Sequence, residues 1–188
     1  MVNRIEVAVL QVYGYQEEAT WRRHIWNLAG GYWRDYGGSR EGSILFVQAA
    51  GNEANTKVTY PAGYRILLGP KCAVLAVSAY GKGGWRMSYS TYGVWVLISG
   101  PARFISTDPM GYGKRRGCQL GYAGPPLETY EFGGTSQSAP TVAGVAALVQ
   151  SKYPSWTPIQ VYDRLYQSIV ALPDPNLRGR IDARIATQ

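Results

Sequence analysis

One stretch constrains this chain more than any other: Gly133-Gly134-Thr135-Ser136-Gln137-Ser138-Ala139-Pro140-Thr141-Val142-Ala143-Gly144. Two adjacent glycines admit a tight turn that other residues resist. Behind them Val142, Ala143, Val145, Ala146, Ala147, Leu148 and Val149 make a helix that is apolar on nearly all sides, ended by Pro154. Such a helix has no polar face to offer water, so it is expected at the centre of a fold. Ser136 then falls at the helix mouth. Unpaired backbone N–H groups and the positive end of the helix dipole gather there, and both stabilise developing negative charge. An acyl-transfer nucleophile needs that environment. A glycine turn with a Thr/Ser cap on a core helix looks the same locally, so the rest of the chain has to decide.

The flanking segments read as alternating strands and helices. Residues 7–12 are a short, β-branched apolar run ending at Tyr13-Gly14, the pattern of a buried strand. In residues 17–29, Trp21, Ile25 and Leu28 repeat at i, i+4 and i+7, which predicts a helix with Glu17 and Glu18 in its first turn and Gly30-Gly31 as its stop. An aromatic, glycine-rich loop leads to a second strand over 43–50, closed by Gly51-Asn52. Strand, helix, strand at this spacing predicts a right-handed crossover and a parallel sheet. Residues 53–70 have loop composition. Strands are expected over 73–79 and 94–99, separated by a turn at 88–93, the second closed by Gly100-Pro101. Residues 107–131 form a long loop rich in Gly, Pro and Tyr; its Lys114-Arg115-Arg116 run is an expected nick site. Thr157-Pro158 supplies a cap and a first-position proline for a helix to about residue 169. The expected class is α/β with one domain over 1–172 and a polar, basic tail over 173–188.

Composition narrows the function. Of 188 residues, 46% are apolar and only 16% charged, which suits a buried core and excludes a disordered chain. The net charge of +7 is scattered over Arg22-Arg23, Lys114-Arg115-Arg116 and Arg178, Arg180, Arg184, with no binding module, so a solvated surface is read in preference to a nucleic-acid partner. No 18-residue apolar run is present, which argues against a membrane partner. The first residues carry no signal-peptide pattern, because the apolar run that follows is short and contains Glu6. Cys72 and Cys118 are too few for a disulfide framework or a metal site, and their pairing is left open.

Residues 134–144 carry every fixed position of G-T-S-x-[SA]-x-P followed by V-A-G, and so resemble the nucleophile motif of the subtilisin-like serine proteases. Ala49-Ala50-Gly51-Asn52 is similar to that family's strand-end A-A-G-N. The ordered run Val77-Ser78-Ala79, Tyr89-Ser90, Gly93, Gly100-Pro101, Ile105-Ser106-Thr107 is similar to the stretch between the two. The resemblance covers roughly residues 7–170. It implies a parallel-sheet subtilisin-like fold, N-terminally truncated, with the buried helix following the nucleophile. It implies Ser136 as nucleophile and Asn52 as oxyanion donor together with the Ser136 N–H. In subtilisin itself, losing that asparagine costs about 100- to 1000-fold in turnover. Tyr13, Gly14, Gly51 and Thr135 are implied as the substrate-binding edge, with a peptide or protein as substrate. Residues 42–44 and 61–64 lean toward the kexin-like branch, though Ala62 stands where that branch would carry an acid. The family often carries structural calcium, to which no ligands are assigned here, and is usually secreted or in the secretory pathway.

The departure from the family is larger than any of these details. Its triad runs Asp, His, Ser in chain order, with the first two about 190 and about 150 residues before the serine. Only 135 residues precede Ser136, and no D-[ST]-G motif occurs. The single histidine, His24, lies in H-I-W-N-L-A-G, which lacks the Gly-Thr of the family's H-G-T-x-V-A-G, and is read as a helix-surface residue. Three readings follow. The chain is part of an endopeptidase whose Asp and His lie in a missing N-terminal segment or a second chain, or a non-catalytic member that binds peptides, or a basic, aromatic-rich nucleic-acid binder.

Overall fold

The computed structural model describes residues 7–11, 13–33, 38–41, 43–102 and 134–188. The Lys114–Arg116 run, Cys118, Gly133 and the 105–107 part of the motif series lie outside them. A six-stranded sheet forms the centre. In spatial order its strands are β1 (Val7–Leu10), β4 (Leu45–Ala49), β5 (Val74–Tyr80), β6 (Ile98–Pro101), β8 (Arg180–Ile181) and β7 (Ile169–Val170). The first five run parallel, and β7 closes the far edge antiparallel to β8. Val9 pairs with Val47, Val47 with Leu75, and Val77 with Ile98. Parallel strands all end on one side of a sheet, and crevices at those ends bind ligands in open α/β folds.

Helices cover both faces, as a buried parallel sheet demands. The period-2 alternation of the strands decides which side chain goes where. Leu45, Val47, Ala49, Leu75, Val77 and Ile98 face α3 (Gly134–Lys152) and α4 (Pro158–Gln167), packing on Ala139, Val142, Ala146, Val149, Val161 and Leu165. Phe46 and Val74 point the other way, to Ile25 and Ala29 of α1 (Ala19–Ala29) and Tyr64 and Leu68 of α2 (Tyr64–Leu68). All five residues of β4 are buried. Each large apolar side chain so buried stabilises the fold by about 1.5–3 kcal/mol.

The structure departs from the sequence expectations at several elements. Residues 53–70 contain α2, whose Tyr64 and Leu68 meet the core one helical turn apart. The glycine-rich loop after α1 includes a two-stranded antiparallel ribbon of β2 (Gly30–Trp33) and β3 (Gly38–Glu41). The fourth strand starts at Ile98 and runs through Gly100-Pro101 instead of stopping at them. At Gly100 α3 lies hard against this strand: a Cβ there would stand 2.5 Å from the Ser138 carbonyl oxygen. Glu17 and Glu18 precede α1, and Glu17 pairs with Arg22 at 3.0 Å. The all-round apolar α3 is buried on its sheet side, while Pro140, Gly144, Ala147 and Leu148 are exposed.

The C-terminal segment is no tail. Arg180–Ile181 inserts as β8 between β6 and β7, α5 (Ala183–Ala186) follows it, and Leu177, Ile181 and Ala186 are buried. Charge count hides this, because only the few inward residues of so short a strand need be apolar. No helix among the described residues is long and apolar enough to cross a membrane.

Candidate active site

The site forms where β1 and β4 end and α3 begins. After Ala49 the chain turns at Gly51, whose φ of +112° few side chains tolerate. A Cβ there would also stand 2.8 Å from the Glu53 carboxylate and 3.1 Å from the Thr91 hydroxyl. Both backbone groups of Gly51 are engaged from within. Its N–H donates to Thr135 Oγ1 (3.1 Å), and its carbonyl accepts from the Thr91 N–H (3.0 Å).

Asn52 meets the first turn of α3. Thr135 N–H donates to Asn52 Oδ1 at 2.9 Å, with the Thr135 hydroxyl 3.2 Å from the same oxygen. An N–H can only face an acceptor, so this contact settles which amide atom is which. The oxygen lies against Thr135 and the Nδ2 donors point elsewhere. Gly134, at φ +49°, makes room: a Cβ there would be 2.9 Å from Asn52 Nδ2. Among the described residues neither Asn52 Nδ2 nor the Ser136 N–H has a hydrogen-bond partner. Ser136 is the third residue of α3, within the turn whose N–H groups have no helical acceptor. Asn52, through its bond to Thr135, and Ser136 thus both stand at the described start of α3.

A carboxylate holds the turn behind Asn52. Glu53 Oε1 accepts from the Tyr13 hydroxyl at 2.5 Å, and the Asn52 N–H lies 3.0 Å from Glu53 Oε2 and 3.2 Å from Tyr13 Oη. Burial, and then the hydrogen bond to Glu53, push the Tyr13 phenol above its ordinary value, so it remains a donor across the neutral range. Gly14 is exposed, and its N–H and carbonyl pair with Tyr60 at 3.0 and 2.7 Å. Tyr13 and Gly14 border a cavity of about 280 Å³ whose other walls include Leu10, Trp21, Tyr60 and Tyr64.

The six residues singled out from sequence therefore fall into two groups. Ser136, Asn52, Gly51 and Thr135 are joined by direct bonds or chain adjacency, and Tyr13 reaches them through Asn52 and Glu53. Gly14 sits on the rim. Thr135, Gly51 and Gly14 each direct backbone or hydroxyl groups to protein partners. Sequence reading missed Gln11, whose Nε2 donates to the Ser136 carbonyl at 2.9 Å. It also missed Glu53, which carried no signal beyond its place after Asn52. His24 is exposed on α1 and makes no hydrogen bond to Ser136 among the described residues. Ala62 is buried and supplies no acid. No three His, Cys, Asp or Glu residues gather at a metal-holding distance among the described residues, so the calcium implied by resemblance has no such cluster, and no step below passes through it.

A model of the subtilase family matches residues 13–181. The thermostable alkaline protease of Halalkalibacterium halodurans is 38% identical over 147 residues, covering 77% of this chain and 35% of that protein. Subtilisin BL of Lederbergia lenta is 32% identical over 148 residues, covering 77% and 46%. Among solved structures, a protease from Pseudoalteromonas arctica PAMC 21717 superposes with a TM-score of 0.65 at 24% identity, covering 97% of this chain and 50% of that one. The self-cleaved protease domain of PatA gives 0.56 at 28% identity, covering 77% and 49%. The chain spans about a third to a half of the length of the relatives it matches.

Proposed function

The chain belongs to the subtilase family, and on that premise we propose that it carries the nucleophile and oxyanion side of a serine endopeptidase centre. Ser136 Oγ attacks the scissile carbonyl of a peptide as its proton passes to a base from outside these residues, which then delivers that proton to the departing amine. The oxygen of the resulting tetrahedral adduct accepts from Asn52 Nδ2 and the Ser136 N–H, collapse expels the amine, and water then releases the acyl group from Ser136. The observation that supports this reading is the Thr135 N–H on Asn52 Oδ1, which occupies the amide oxygen, leaves Asn52 Nδ2 without a partner among the described residues and ties Asn52 to the residue before Ser136. Tyr13 and Gly14 form a wall of the cleft, and the cavity beside them accepts an apolar substrate side chain, as its aromatic lining favours.

A serine hydroxyl is a weak nucleophile without a base. The reading therefore places the triad's Asp and His outside these 188 residues, in further sequence of the same protein or in a second chain. The single histidine, exposed on α1 without a bond to Ser136, favours a second reading, a subtilase-like protein that binds peptides without cleaving them.

A fluorophosphonate probe separates the two. The 188-residue chain should label slowly, at Ser136 and not in Ser136→Ala. Adding sequence that carries D-[ST]-G and H-G-T motifs should raise the labelling rate at least 1000-fold, from the oxyanion-only level toward that of a full triad. Rapid labelling of the chain alone would mean that it already holds a base. Absence of labelling in the completed protein would favour the peptide-binding reading.

A further inference from the structure

We propose that Gln11 is a positioning residue for Ser136, acting on the helix carbonyl that Pro140 deprives of its usual donor. The proposal rests on the reading of Ser136 as nucleophile. In an α-helix the carbonyl of residue i accepts from the N–H of residue i+4. For Ser136 that residue is Pro140, inside α3 and without an N–H. The Ser136 carbonyl instead accepts from Gln11 Nε2 at 2.9 Å, across 125 residues of sequence.

The anchor of this donor gives the contact its consequence. Gln11 directly follows β1, whose Leu10 pairs in register with Gln48 of β4, and β4 leads into Gly51-Asn52. One strand pair thus holds both the oxyanion asparagine and the donor on Ser136. The peptide plane before Thr135 is held through its N–H on Asn52, and the plane after Ser136 through its carbonyl on Gln11. The plane between them carries the Ser136 N–H, the second oxyanion donor. With both neighbours pinned to the sheet, its direction and that of the Ser136 side chain are set. Gln11 is exposed and fills no core space, so its removal leaves the packing intact.

The test compares the chain with Gln11→Met and Gln11→Glu, which keep the length of the side chain but lose its N–H donor, in the original and Pro140→Ala backgrounds. Pro140→Ala restores an N–H at position 140. Three quantities are read: the rate of fluorophosphonate labelling at Ser136, amide hydrogen exchange over residues 135–141, and the thermal midpoint. Both Gln11 variants should label about tenfold more slowly and exchange about tenfold faster in that segment, with an unchanged midpoint. In the Pro140→Ala background the same substitutions should change either quantity less than twofold. The proposal is overturned if labelling and exchange are untouched by Gln11→Met, or if the loss is equally large with Ala at 140. If the protein completed with its Asp and His does not label at all, Ser136 as nucleophile fails, while exchange still decides whether Gln11 holds the helix mouth.

Discussion

Asn52 holds its amide in one orientation because the Thr135 N–H points at its oxygen, and Gly134 leaves space for it to do so. Two predictions follow at this scale. Asn52→Ala should slow labelling of Ser136 by about 100-fold or more, since the lost donor acts on charge that develops in the reaction, and should also lower the unfolding midpoint, since it removes the acceptor of the buried Thr135 N–H. Gly134→Ala should cost about 1–2 kcal/mol, because an alanine resists φ +49°, and should also slow labelling by pressing its Cβ on Asn52 Nδ2. Urea unfolding beside labelling rates separates the two effects. A third prediction concerns Cys72. Burial pushes its thiol up to about 12, with Arg65 opposing only weakly, so little thiolate exists at pH 8. Peptide mapping should find Cys72 unmodified by iodoacetamide in the folded chain and alkylated in urea. Of this site the serine, the asparagine and their glycines were legible from sequence, because each sits in a motif of fixed spacing. Gln11 and Glu53 were not. Their partners lie across the fold, and a lone Gln or Glu at a strand end has many other reasons to be there.

At the scale of elements, the closeness of α3 to the sheet positions Ser136. The nearest approach is at Gly100, where β6 runs beneath the Ser138 carbonyl, while the Ser138 hydroxyl donates to the Pro101 carbonyl at 3.1 Å. Gly100→Ala should therefore destabilise the chain by about 1–3 kcal/mol in urea unfolding, since its Cβ meets backbone that cannot swing aside. Leu165→Ala, in the fully buried face of α4, should cost about 2–5 kcal/mol by leaving a cavity. Helix α4 was readable from Thr157-Pro158, and α1 from an apolar spacing of which Ile25 is buried while Trp21 and Leu28 are exposed. By contrast, α2 is a single turn and a half whose burial comes from neighbours on other strands, so loop composition concealed it. The early start predicted for the fourth strand has a similar cause. Val94 to Leu97 are apolar, yet Val94 is 95% exposed and the segment turns before it pairs.

Over the whole molecule, the C-terminal segment closes the sheet and is tied back by Asp174. That carboxylate is buried, and it accepts from the Arg86 N–H (2.9 Å), the Asn176 N–H (2.9 Å) and Asn176 Nδ2 (3.0 Å). Burial alone would raise its pKa, but these hydrogen bonds and the Arg86 charge outweigh burial and hold it below the usual carboxylate range. A group whose folded value is depressed stabilises the fold above its unfolded value, near 4, and loses that contribution as pH falls through its folded value. Asp174→Asn should flatten the acid limb of stability below about pH 4 in a pH series of thermal midpoints. Asp174→Ala should cost about 1–3 kcal/mol at neutral pH by orphaning buried donors.

The sequence by itself determined the lineage and the α/β class, and it singled out the serine and the asparagine. These depend on local patterns, namely glycines at a turn, small residues behind them and apolar runs of strand length. Only the tertiary structure decided that Arg180–Ile181 join the sheet, that Asn52 Oδ1 accepts from Thr135, and that Gln11 reaches the carbonyl Pro140 leaves open. Each depends on a partner 80 or more residues away, and no spacing along the chain encodes which atoms folding will bring within 3 Å. The Gly-Thr-Ser stretch makes a helix mouth on its own account, and the ends of β1 and β4 hold that mouth in place.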